Sequence, residues 1–143
     1  LSSDVFAQWF DSAGAPKGGD VQVNSYTTGS QESSAVAADG SGNFVVVWES
    51  SDGSTNDVFG QRLSAAGFPM GGEFQVNSYT TGTQREPAVA ADGSDNFVVV
   101  WESLFQDGSS GGVFGQRLSA AIFGDGFAAG DACAWSAAVG GGC

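Results

Sequence analysis

The chain has 143 residues, 16 acidic side chains against 4 basic ones, no histidine and a formal charge of −12. That balance disfavours nucleic acid or an anionic membrane surface as a partner, and no run approaches the roughly 20 apolar residues that a membrane-spanning helix needs. With 23 glycines spread through turn-like clusters, the composition points to many short strands joined by tight turns.

In chain order, residues 5–10 alternate as a strand, with the turn-rich stretch 11–19 after them and a second strand at 20–24. Residues 25–31 read as a polar linker and 34–38 as a strand of small residues. A tight turn at 39–42 leads into Asn-Phe-Val-Val-Val-Trp-Glu-Ser at 43–50. That apolar, β-branched run is too short for a stable helix and suits a central strand covered on both faces. The cycle then restarts. Val-Phe-Gly-Gln-Arg-Leu at 58–63 answers to 5–10, and Asn-Phe-Val-Val-Val-Trp-Glu-Ser returns at 96–103, 53 residues after its first copy. Residues 21–50 and 74–103 share 24 identities in 30 positions, and a third Val-Phe-Gly-Gln-Arg-Leu stands at 113–118.

The expected architecture is therefore all-β, built of antiparallel four-stranded repeat units like the blades of a β-propeller. A compact two-sheet β-sandwich is the alternative. The tandem domain covers 1–119, with units at about 5–57 and 58–112 and a third partial copy at 113–119. Residues 120–143 form a Gly/Ala-rich tail. In blade terms the chain begins with the last two strands of one unit and ends with the first three of another. Such repeats bury their faces against neighbours, so the open ends call for partners. Head-to-tail completion gives a ring or a fibre. The candidate assembly residues are Val5, Phe6, Trp9 and Phe10 at the start, and Ile122, Phe123, Phe127 and Trp135 in the tail.

Other candidates stand beside plainer readings. Tyr26 and Tyr79, in Thr/Ser-rich linkers, could stack on carbohydrate rings, and Thr27, Thr28, Thr80 and Thr81 could carry O-linked sugars. No Asn-x-Ser/Thr acceptor is present, which removes that glycosylation motif. Asp39, Asn43, Asp92 and Asn96 space oxygen side chains as calcium loops do, but turns favour the same residues and no bidentate Glu follows. Turn chemistry is the favoured account, so no cofactor is expected. Gln8, Gln61 and Gln116 recur between apolar neighbours and call for a partner on the backbone or a neighbouring repeat, with sugar binding as the sharper alternative, while Arg62 and Arg117 are expected to pair with Glu49 or Glu102 on the neighbouring strand. Cys133 and Cys143 could close a disulfide in an oxidising compartment. With a single Lys17 and no nucleophile beside an evident base, an enzyme is the least favoured class.

The repeated cycle resembles tandem repeats of large secreted bacterial proteins, and the resemblance covers residues 4–119. The tail is similar to a short Asp-Gly-Phe-Glu-Ser-Gly-Asp…Trp-Ser ending of such proteins, with Ala128 and Ala129 in place of the Glu-Ser pair. The resemblance implies a propeller-like fold and an extracellular bacterial origin, and it implies no activity. A chain beginning at Leu1 without Met fits a processed secreted protein, or equally a fragment. The expected role is a secreted structural subunit that self-assembles head to tail into a fibre, with a carbohydrate-binding β-repeat module as the alternative.

Overall fold

The structure, a computed structural model, describes residues 2–119. These residues form strands and turns only, so no helix among them is long and apolar enough to cross a membrane. The candidate residues Ile122, Phe123, Phe127, Cys133, Trp135 and Cys143 lie outside the described part.

Among the described residues, nine strands form three antiparallel sheets. The first sheet pairs β1 (Phe6–Ala7) with β2 (Val21–Gln22). The second holds β3 (Ser30–Ala38), β4 (Phe44–Ser51), β5 (Asn56–Leu63) and β6 (Phe74–Gln75), neighbours in space in chain order. In the third, β7 (Gln84–Ala91), β8 (Phe97–Ser103) and β9 (Gly112–Leu118) repeat the first three strands of that order. The second sheet is thus one full period, flanked by the second half of one and the first three-quarters of another.

The small-residue strands are longer than their apolar pattern, which starts at Ser34 and Pro87. β3 pairs back to Ser30↔Ser51 and β7 to Gln84↔Ser103. A bulge in each makes this extension: two residues, Ser33 and Ser34 or Glu86 and Pro87, stand opposite a single tryptophan, Trp48 or Trp101. Ser33 and Glu86 take the left-handed conformation there, with φ of 52° and 53°. The polar segment beyond the bulge still satisfies its backbone in the ladder, which is why its side chains gave no strand signal.

Beyond the bulge, Gln31 and Gln84 turn inward. Each accepts the indole N–H of its facing tryptophan (Trp48 Nε1 to Gln31 Oε1, 3.0 Å; Trp101 Nε1 to Gln84 Oε1, 3.2 Å). Each also donates to the carbonyl of Thr28 or Thr81. A buried indole is thereby satisfied and the Thr-Thr-Gly turn is held to the sheet. Glycine at 29 is obligatory: its φ is 76° and a Cβ would lie 1.8 Å from the Ser51 carbonyl oxygen.

Two apolar cores lie between successive sheets, and they are built from equivalent residues. Val5 and Val23 of the first sheet meet Val46, Trp48 and Leu63 of the second. Val45, Val47, Val58 and Val76 of the second meet Phe97, Val99, Trp101 and Leu118 of the third. One set of positions on each sheet faces forward along the chain and the alternate set faces back, as the two-residue period of a strand requires.

Candidate functional site: the two open ends of the repeat

Among the described residues, a series of sheets joined this way leaves an uncovered face at each end. β4 is buried on both faces, as its run of valines predicts, but its near-copy β8 is not. Val45 and Val47 are 0% exposed, while their equivalents Val98 and Val100 are 45% and 38% exposed. Val58 is likewise 0% exposed and its equivalent Val113 is 78%. The expectation of a doubly covered central strand therefore holds for β4 and fails for β8, because no fourth sheet follows among the described residues. The outward face of the third sheet is apolar where it passes Ala88, Ala90, Val98, Val100 and Val113, and it ends in a shallow hollow of about 350 Å³ beside Trp101 and Glu102.

At the other end the first sheet is only two strands wide. It covers part of the second sheet and leaves a hollow of about 430 Å³ lined by residues including Phe6, Trp9, Val36, Phe44, Val46 and Leu63. Val36 on this side is 62% exposed, and Phe6 and Phe10 are each 60% exposed. Of the four candidate assembly residues at this end, Phe6 and Phe10 are thus on the surface. Val5 is not available: it is buried in the chain's own core. Trp9 packs edge-on against Phe44, with ring centroids 6.1 Å apart at 84°, and lies over Gly67.

Polar contacts repeat along the chain with the same period. Asn24 accepts the Val5 N–H (2.7 Å) and donates to Asp4 (2.8 Å) and the Tyr26 carbonyl. Asn77 does the same with Val58, Asp57 and Tyr79. Sequence reading passed over these asparagines, although their recurrence beside a strand end was a usable signal. The carboxylate of Glu73 reaches across sheets to the N–H (2.7 Å) and hydroxyl (3.1 Å) of Ser25. Gln61 donates to the carbonyls of Arg62 and Gly71, Gln8 to those of Trp9 and Gly18, and Gln116 to that of Arg117. The recurring glutamine therefore finds backbone partners.

The arginines pair differently from the expectation. Arg62 bonds to Asp39 at 3.1 Å, both side chains nearly sealed from solvent, and Arg117 approaches Asp92 at 3.9 Å in the open. Register is the reason. Arg62 stands opposite Val45, whereas Glu49 stands four residues along, opposite Val58. Glu49 instead accepts from the Asn56 amide and the Glu86 N–H. Glu102 takes Arg85 in a two-pronged pair at 2.9 and 3.1 Å, which lowers the Glu102 pKa and raises that of Arg85.

The calcium-like turns are filled by N–H donors. Asp39 accepts from the backbone of Ser41 and Asn43, the Asn43 amide and Arg62. Burial pushes its carboxyl up, but these bonds outweigh burial and hold it below the ordinary value. Asp92 accepts from the Ser94 N–H and the Asn96 amide and is lowered by them. Among the described residues no three of His, Cys, Asp and Glu gather as a metal site would need. Tyr26 is exposed and Tyr79 half-buried, and neither lines the two hollows. Thr27, Thr28, Thr80 and Thr81 are all exposed.

Comparison with family models, curated proteins and solved structures found no match to this chain.

Proposed function

We propose that the chain is a secreted structural subunit whose blade-like β-repeats complete one another head to tail, building an extracellular fibre. The observation that carries this reading is the repeat equivalence. The valines exposed at one end are the same residues, in the same strand, that are buried in the middle of the chain. A surface built to be covered and left uncovered gains free energy on association, at about 25 cal/mol for each Å² of apolar area removed from water. The two ends differ from each other, so the contact is heterologous and propagates instead of stopping at a dimer. The blade-like reading rests on the in-order meander of β3 to β6 with small residues on its first strand. Secretion rests on the resemblance to bacterial tandem repeats.

The test is negative-stain electron microscopy of the purified chain beside its mass in solution. Regular filaments are expected, and a closed ring, or a single species near the chain mass of 14.4 kDa at all concentrations, would refute the proposal.

A further inference from the structure

We infer that β7 and β8 of one copy fill the hollow beside β1 of the next, making a composite four-stranded sheet with that copy's β1 and β2. This rests on the self-assembly reading and specifies its contact. The argument comes from what already covers the equivalent surface inside one chain. There, Ala35, Ala37, Val45 and Val47 on the forward face of the second sheet pack over Val89, Ala91, Phe97 and Val99 of the third. One period on, the forward-facing set is Ala88, Ala90, Val98 and Val100, all exposed. One period back, the set to be covered is Val36, Ala38, Phe44 and Val46, of which Val36, Phe44 and Val46 line the hollow. The donor face is therefore open, the acceptor face is open at Val36 and Ala38, partly covered at Phe44 and buried at Val46, and their internal copies already pack in this way.

A polar contact follows from the same shift. Glu73, at the start of the last strand of the second sheet, grips Ser25 at the end of the last strand of the first. The equivalents of these residues are Asp20 and Ser78, both exposed. In the composite arrangement Asp20 of the next copy comes against Ser78 of the first, again an acid on a serine hydroxyl and N–H. Strand type also fits: the first sheet lacks its first and second strands, and β7 and β8 are a first and a second strand. The third place is supplied twice, by β1 and by β9. Asp4 keeps it for β1, because it accepts from Asn24 (2.8 Å) as Asp57 does from Asn77 (2.7 Å), whereas β9 has Gly112 at that position and no carboxylate for the amide. β9 is then released from β8, and β1 takes its ladder, with Trp101 opposite Phe6 as Trp48 is opposite Phe59.

The test uses the full chain with Cys133→Ser and Cys143→Ser, into which Asp20→Cys or Ser78→Cys is introduced singly. The two variants are mixed and oxidised, so that only a bond between copies can form. A disulfide-linked pair containing one of each is expected, with neither variant cross-linking alone. Filaments that form without that cross-link overturn the inference and leave the self-assembly reading standing; a chain that stays monomeric overturns both. Separately, Val100→Asp is expected to be tolerated by the single chain, where the side chain is already 38% exposed, and its fold is checked by circular dichroism. It is expected to raise the concentration needed for assembly by at least roughly a hundredfold, since a charge is then buried between copies. Unchanged assembly of a folded Val100→Asp chain overturns the inference as well.

Discussion

Val58 and Val113 begin the same six-residue strand sequence, yet one is sealed in the core between sheets and the other stands in the open. Truncating each to alanine separates what sequence contributes from what position contributes. Val58→Ala removes two buried methyl groups, worth about 1.6 kcal/mol at 0.8 kcal/mol per buried carbon. The cavity left among Val45, Val47 and Val76 raises the cost to about 2–3 kcal/mol. Val113→Ala removes the same atoms from water and should cost no more than about 0.5 kcal/mol. The measurement is urea unfolding at a concentration low enough to keep chains single, with the slope checked for constancy so that the midpoint shift reads stability alone. Equal losses at the two positions would refute the claim that the third sheet is uncovered on its outward face.

Four further outcomes rest on the side-chain contacts. Gln31→Leu leaves the buried Trp48 N–H without its acceptor and should destabilise by about 1–3 kcal/mol; a thermal or urea midpoint within error of the parent would contradict it. Arg62→Ala strips the sealed Asp39 carboxylate of its cation and should cost about 3–5 kcal/mol, whereas Arg117→Ala, from the exposed pair, should cost under about 1 kcal/mol. Because the Asp39 pKa is lowered by folding, its contribution is fully present above the unfolded value of about 3.9 and is lost as pH falls through the lower folded value. Asp39→Asn should therefore flatten the stability profile below about pH 4, and a profile of unchanged steepness would argue against this pairing. Finally, Glu32 lies directly opposite Glu49, where the next repeat has Arg85 opposite Glu102. Glu32→Arg should stabilise by about 0.2–1 kcal/mol, read as a rise in melting temperature.

The repeat makes the strand order legible in the sequence itself. The β-branched run at 44–48 and the glycine-rich turns each specify local geometry, whereas the alternation of 5–10 yields only the two-residue strand Phe6–Ala7 with an isolated bridge at Phe10; the return of the pattern every 53 residues implies that successive copies repeat the same strand order. Legibility stopped where local chemistry stopped deciding. Ser30 to Glu32 is polar and reads as linker, yet its backbone joins the ladder because the bulge at Ser33 restores register. The partner of Arg62 is not legible in the sequence, because pairing of charges depends on cross-strand register, which composition does not express. Asn24 and Asn77 were overlooked because a buried amide gripping a neighbouring strand leaves no apolar pattern.

By itself, then, the sequence determined the all-β class, the period and the role of each strand, since strand and turn propensities act within a few residues. Only the tertiary structure decided which of two identical valines is core and which is surface. Val45 and Val98 share the same neighbours in the chain, so no local rule can separate them. Among the described residues a following sheet covers Val45 and none covers Val98, and burial is a property of what arrives from far along the chain, or from another chain.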